Sequence, residues 1–248
     1  MGSSIEEFLT RLAEKPDQFH TISVLTGAGI SAESGIPTFR GRDGLWRGMD
    51  PEELFTPEAL YATPALIWQM YDELRTRIAQ AAPNAGHFAL AELARLCKVT
   101  LATQNIDGLH QRAGSHNVLE LHGTLWTLRC TSCEYAVENT TTPLNHLPPT
   151  CPHCTSLLRP DIVLFSEPLP VDAYTQALQA AENCDLMLVI GTSGVVYPAA
   201  GLPRVARAHG AVVVEINPTE TSLTAEVDYA VHDSAASALP RIVKTFRS

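Results

Sequence analysis

No stretch of this 248-residue chain is apolar for long enough to cross a bilayer, which takes about 20 consecutive apolar residues. The opening Met-Gly-Ser-Ser-Ile-Glu-Glu has neither the basic nor the apolar segment of a secretory leader. N-myristoylation, which Gly2 would invite, is not expected, because Glu6 stands where that pattern needs a serine or threonine. Basic residues are scarce: 17 Lys and Arg against 27 Asp and Glu leave a formal charge of −10. That balance argues against phosphate-driven nucleic-acid binding and is compatible with attracting basic, lysine-bearing peptides. Nothing repeats internally and no segment is of low complexity, so a repeat architecture is excluded. What is present, 45% apolar and 18% charged residues, describes a soluble, globular chain, expected to be cytoplasmic and monomeric.

Apolar, β-branched runs recur at 22–25, 99–102, 186–190 and 212–216, separated by helical spacing that includes 5–13, 64–82 and 84–96. Asn84 is placed to cap the last of these helices. The alternation predicts an α/β fold, a doubly wound parallel sheet (Rossmann-like), with ligands at the carboxyl ends of its strands. Residues 124–158 break the rhythm. They hold four cysteines and a Pro- and Thr-rich stretch, and are expected to form a small inserted zinc-binding domain. The dinucleotide-binding domain is then discontinuous, 1–123 and 159–248.

The cysteines come as Cys130-Thr-Ser-Cys133 and Cys151-Pro-His-Cys154, with 17 residues between the pairs. Each pair offers two thiolates from one tight knuckle, and four complete the tetrahedral shell that Zn²⁺ prefers. A shell filled by protein leaves no position for an activated water, so the metal is read as structural. Two disulfides are the alternative, disfavoured in a reducing compartment. His153 would overfill the site and is read as a bystander. Cys97 and Cys184 are read as small core residues.

Directly after the run at 22–25 comes Leu25-Thr-Gly-Ala-Gly-Ile-Ser-Ala-Glu-Ser-Gly-Ile-Pro-Thr-Phe-Arg-Gly41. Glycines after a strand let backbone N–H groups approach a pyrophosphate, where the next helix's positive end favours negative charge. Alone, such a turn also reads as plain strand-to-helix punctuation. Gly27-Ala-Gly29 continues as Ile-Ser-Ala and never reaches the third glycine of the dehydrogenase fingerprint. Thr103-Gln-Asn-Ile-Asp-Gly-Leu-His110 and Leu121-His-Gly123 also follow apolar runs, and so belong at strand ends beside the same crevice.

With these motifs in this order, together with the cysteine pattern, the chain resembles the sirtuins, NAD-dependent protein lysine deacylases, from about Ile22 to Arg247. The resemblance is to bacterial and archaeal single-domain members. It implies that an acyl-lysine carbonyl oxygen attacks C1′ of the nicotinamide ribose as nicotinamide leaves. His122 then promotes attack by a ribose hydroxyl on the alkylamidate, and water releases lysine and O-acyl-ADP-ribose. Of nine histidines, His122 alone matches the catalytic base; in isolation it would read as an ordinary core residue. Asn105 would bind the ribose and a water, with Gln104 alongside. Asp107 and the Ile106 backbone would hold the nicotinamide carboxamide, although Asp107 also suits a helix cap. Phe39 would shield C1′ and Arg40 would steady the phosphate side. Gly27, Ala28, Gly29, Ser31, Gly191, Thr192, Ser193, Asn217 and Ala235 would line the dinucleotide.

On the substrate side, Val163, Leu164 and Phe165 stand where sirtuins pair with the acyl-lysine peptide by β-augmentation. Ser166 replaces the family's usual glycine. Tyr71 matches the tyrosine of the Tyr-x-x-Arg pair that binds succinyl and malonyl groups, but Leu74 stands in place of the arginine. Arg75 is one residue late, turned by about 100° on a helix. The expectation is deacetylation, with succinyl, malonyl or long-chain acyl groups, mono-ADP-ribosyl transfer and NAD hydrolysis as alternatives. A non-catalytic, NAD-sensing zinc module is a further one.

Overall fold

Val-, Ile- and Leu-rich segments too short for helices pack as parallel strands buried on both faces. The computed structural model describes residues 5–15, 18–38 and 54–247. In chain order the strands are β1 (Thr21–Thr26), β2 (Lys98–Thr103), β3 (Leu119–Glu120), β4 (Gly123–Cys130), β5 (Ala136–Glu138), β6 (Leu158–Ile162), β7 (Leu186–Ile190), β8 (Val212–Ile216) and β9 (Tyr229–Val231). A six-stranded parallel sheet runs β3-β2-β1-β7-β8-β9.

Alternate residues of one strand serve opposite layers. On β7, Leu186, Leu188 and Ile190 pack with Phe8, Leu12, Leu90, Leu93, Leu239 and Ile242 of the helices Ile5–Glu14, Ala85–Leu96 and Ala235–Phe246. Met187 and Val189 face Ala177, Ala181, Leu202 and Ala206 of Val171–Glu182 and Leu202–Ala208. The four expected strands and three expected helices all form, with ends shifted by a residue or two. One element differs in kind. The segment after β1 is a 3-10 helix, Ala28–Ser34, closed by Gly35 at φ +82°.

β4, β5 and β6 form a separate antiparallel sheet in the order β5-β4-β6. Its apolar face shares one core with the helices Pro57–Ala62 and Pro64–Gln80: Leu125, Leu128, Cys130, Cys151 and Leu158 pack with Leu60, Trp68, Tyr71 and Leu74. The second packing unit therefore reaches beyond the expected 124–158 and takes in helices that the sequence placed with the larger sheet.

The order of the sheet reverses between β1 and β7, and ligands of doubly wound sheets sit outside such a switch point. β1 ends at Thr26 and β7 at Ile190, so the Gly27 and Gly191 loops open side by side. A Cβ on Gly29 would lie 2.6 Å from Gly191 Cα, so only glycine permits this approach.

Candidate active site

Between the switch point and the small lobe lies a cavity of about 740 Å³. The sequence-predicted Gly27, Ala28, Gly29, Ser31, Tyr71, Gln104, Asn105, Ile106, Asp107, His122, Val163, Leu164, Phe165, Gly191, Thr192, Ser193 and Asn217 all line it. Ala235 does not. It is buried at the start of its helix, with its carbonyl against Gly86. Phe39 and Arg40 lie outside the described residues.

β2 ends in the loop that brings the polar residues together. Asn105 donates through Nδ2 to the Gly27 carbonyl (3.1 Å), and Gln104 through Nε2 to Thr192 Oγ1 (3.0 Å). Asp107 is buried, and its carboxylate accepts from Ser31 Oγ (2.7 Å) and from the Leu109 N–H (2.9 Å). It thus closes a local turn onto Leu109, the first residue of the short helix after Gly108, and also lines the cavity. Burial pulls its carboxyl above the usual range, against the pull of those hydrogen bonds.

His122 sits where the chain passes from one lobe to the other. Its Nδ1 lies 2.9 Å from the Gln104 carbonyl oxygen. A carbonyl only accepts, so Nδ1 carries the proton and Nε2 keeps its lone pair for the cavity. Burial lowers its pKa, and the bond to Gln104 opposes that shift. The next residue turns sharply: Gly123 has φ +72°, and a Cβ there would meet Asp161 O at 2.0 Å. The Leu-His-Gly glycine is thus required by close packing against β6.

Two further histidines lie beneath the loop and were not singled out by sequence. His110 Nε2 is 2.9 Å from Thr26 Oγ1, which donates to Thr103 Oγ1 (2.8 Å), itself the acceptor of the Asn105 N–H (3.0 Å). His87, 4.9 Å from His110 between ring centroids, completes the capping box of Asn84. Burial pushes their pKa values down to about 4 for His87 and about 3 for His110, so both rings are neutral near pH 7. Glu215, buried on β8, accepts from Thr221 and Thr224 and so holds the loop beyond Asn217 along the cavity. A lone carboxylate in an apolar strand was its only sequence signal.

On the substrate side the wall is apolar, with Ile36, Phe55, Leu74, Ile78 and Leu164 beside Tyr71. Among the described residues, no lysine or arginine lines the cavity. Arg75 is fully buried on the other face of its helix, bound to the carbonyls of Leu125, Asn139 and Thr141. The segment 163–165 extends β6, but its N–H groups are already used: Val163 on His122 O, Leu164 on Glu167 Oε2 and Phe165 on Phe55 O. Arg159 braces this segment with a bidentate pair to Glu167 (2.6 and 2.8 Å). Burial pulls the Glu167 carboxyl up, but Arg159 and the Leu164 N–H hold it below the usual range.

Ser166 adopts φ +72°, the left-handed region that costs an L-residue about 1–2 kcal/mol. Serine has therefore kept the turn a glycine would make, at a cost in stability. Ser166→Gly is expected to raise the melting temperature by roughly 1–3 °C, glycine's larger chain entropy offsetting part of the relief. A lower melting temperature in calorimetry would show that the Ser166 side chain is itself stabilising.

The four cysteine sulfurs converge, all within 4.8 Å of one another. Neighbouring pairs are 3.4 Å (Cys130–Cys154), 3.6 Å (Cys133–Cys154) and 3.7 Å (Cys133–Cys151) apart. Tetrahedral zinc with Zn–S near 2.3 Å requires S···S of about 3.8 Å. A disulfide requires about 2.05 Å. The donor set fits zinc and not disulfides. Backbone N–H groups of Ser132 and His153 point at Cys130 and Cys151 Sγ (3.3 and 3.4 Å), as a thiolate knuckle needs. The His153 ring lies against Tyr135 and is not part of the cluster.

A sequence profile of the Sir2 family matches residues 27–198. An NAD-dependent protein deacylase of Aquifex aeolicus is 51% identical over 227 residues, covering 91% of this chain and 95% of that protein. A solved complex of a Sir2 homolog with NAD superposes with a TM-score of 0.90 at 45% identity, over 98% of this chain and 93% of that one. A Sir2 variant bound to a deacetylated p53 peptide and 3′-O-acetyl-ADP-ribose gives a TM-score of 0.88 at 34% identity, covering 98% of both chains.

Proposed function

The chain belongs to the Sir2 family, and on that premise we infer that it is an NAD-dependent protein lysine deacylase. The observation that carries this reading furthest is His122, whose Nδ1–H rests on the Gln104 carbonyl at the floor of the switch-point cavity. NAD supplies an electrophilic ribosyl carbon with nicotinamide as leaving group. His122 Nε2 takes the proton of a ribose hydroxyl, and a neutral imidazole near pH 7 suits that task. Asn105, fixed on Gly27 O, positions the ribose and a water. Asp107, fixed by Ser31 and Leu109, presents its carboxyl to the carboxamide, with the Ile106 backbone beside it. Gly27, Ala28, Gly29, Gly191, Thr192, Ser193 and Asn217 cradle the dinucleotide along the strand ends. The zinc is structural and held by Cys130, Cys133, Cys151 and Cys154.

We assign the small lobe to residues 54–81 and 123–165, the rest forming the NAD-binding domain. The acyl-lysine enters between the two, where carbonyl acceptors of the 163–165 segment meet the peptide, since its N–H groups are engaged. The protein is proposed to act in the cytoplasm as a monomer on acyl-lysine proteins. No helix among the described residues is long and apolar enough to cross a membrane.

The acyl group is neutral, acetyl before succinyl, because among the described residues the wall offers Leu74 and no lysine or arginine. A carboxylate buried there without a partner is disfavoured by several kcal/mol. NAD-dependent turnover of acetyl, succinyl and myristoyl forms of one lysine peptide, followed by mass spectrometry, tests this. Acetyl or myristoyl turnover with O-acyl-ADP-ribose formed is expected, and Leu74→Arg should shift preference toward succinyl by at least about tenfold. Preferred succinyl turnover by the unaltered protein would reverse the acyl assignment. Nicotinamide release without deacylation would point to ADP-ribosyl transfer or NAD hydrolysis.

A further inference from the structure

The loop that carries Asp107 is gripped from the small lobe at both of its flanking carbonyls. The Leu125 N–H donates to Ile106 O (3.1 Å), and Trp126 Nε1 donates to Asp107 O (2.7 Å). A peptide unit is planar, so fixing its carbonyl fixes the whole plane. With the planes on both sides of the Asp107 Cα fixed, the direction of its side chain is fixed as well. The Trp126 ring also lies against Gly108, where a Cβ would approach it to 3.0 Å.

Trp126 is in turn held by Arg75. The guanidinium lies 5.1 Å from the Trp126 ring centroid and donates to the Leu125 carbonyl, while its other arm grips Asn139 Oδ1 (2.6 Å) and the Asn139 and Thr141 carbonyls. A buried arginine with a stacked indole on one side and backbone acceptors on the other has one geometry, not several. Arg75, Trp126 and the Asp107 carbonyl thus form a rigid strut from the Pro64–Gln80 helix to the cofactor loop. That helix presents Tyr71 and Leu74 to the cavity.

We propose that Trp126, braced by Arg75, is a positioning residue for the nicotinamide end of the cofactor. It acts through Asp107 and touches neither cofactor nor substrate. The proposal rests on the reading of Asp107 as the carboxamide partner. Its signature is a defect confined to ligands that contain nicotinamide.

Trp126→Phe tests this, because phenylalanine keeps a ring under Arg75 and removes the pyrrole edge that carries the N–H donor and lies against Gly108. NAD affinity and inhibition by nicotinamide should each weaken about three- to tenfold, the worth of one hydrogen bond. ADP-ribose affinity and KM for the acetyl-peptide should stay within about twofold of the unaltered protein, the scatter expected of a site that neither ligand touches, while the melting temperature falls by no more than roughly 2–6 °C for the lost hydrogen bond and ring contact. Arg75→Lys keeps the charge but loses the planar fork, and should show the same selectivity for NAD over ADP-ribose. Unchanged NAD and nicotinamide constants in both variants would overturn the proposal. So would equal losses for ADP-ribose and NAD, which would mark a merely structural role. Failure of the underlying reading is separate: Asp107→Asn would then leave the NAD and nicotinamide constants of an otherwise intact protein unchanged.

Discussion

Replacing His122 by alanine is expected to slow deacylation by about 10²–10⁴-fold, the contribution of one positioned general base. ADP-ribose affinity should change little, because the proposed dinucleotide cradle is Gly27, Gly29, Gly191 and their neighbours at the strand ends, whereas the imidazole is assigned to proton transfer at the ribose. The pH profile supplies a second readout. The base acts as neutral imidazole, and burial moves its pKa below the ordinary 6.5, with the Gln104 bond opposing. The acid limb of kcat/KM therefore lies below pH 6.5 and vanishes in the variant, while the rate holds level above neutrality. An unimpaired rate in His122→Ala would remove the base from the mechanism and favour capture of the ribosyl carbon by water or another nucleophile.

The parts of this arrangement legible in the sequence were those encoded locally. β7 and β8 appear at the expected residues because runs of Leu, Met, Val and Ile too short for helices, broken only by Glu215, pack as strands buried on both faces. Asn84 was legible as a cap, and its Oδ1 accepts from the Gly86 N–H at 2.9 Å. Arg75 was legible in part: helical geometry placed it off the Tyr71 face. That it clamps Asn139 and Trp126 depends on contacts 50 to 66 residues away, which no local pattern encodes. That the core of β4 and β6 takes in the helices Pro57–Ala62 and Pro64–Gln80 was hidden for the same reason. Trp68 and Tyr71 lie on the helix expected at 64–82, and they are buried. The core they join is that of β4 and β6, because Trp68 Nε1 donates to Leu158 O at 2.8 Å. His87 and His110 have no local signal in the sequence, because buried neutral histidines carry no spacing signature.

Removing zinc is expected to abolish deacylation without dissolving the parallel sheet. Structural zinc at four thiolates supplies roughly 10–16 kcal/mol of binding energy, which exceeds the whole stability of a small lobe. Two of the ligands, Cys130 and Cys151, are buried in the same apolar core as Leu125, Leu128, Tyr71 and Leu74. The second knuckle even holds Thr155 at φ +61°, a strained geometry for a β-branched residue that needs an outside constraint. Freed of the metal, the knuckles lose their reason to close. The β4–β6 pairing then loosens, and with it the wall formed by Tyr71, Leu74 and Leu164. The larger sheet has its own cores on both faces and does not share that dependence. Chelation, or Cys151→Ser, should therefore release one zinc per chain, open residues 124–158 to protease, and eliminate deacylation while ADP-ribose still binds. A zinc-free protein that remained protease-resistant and active would mean the four thiols hold the small lobe by packing alone, and that the metal is dispensable to the cleft.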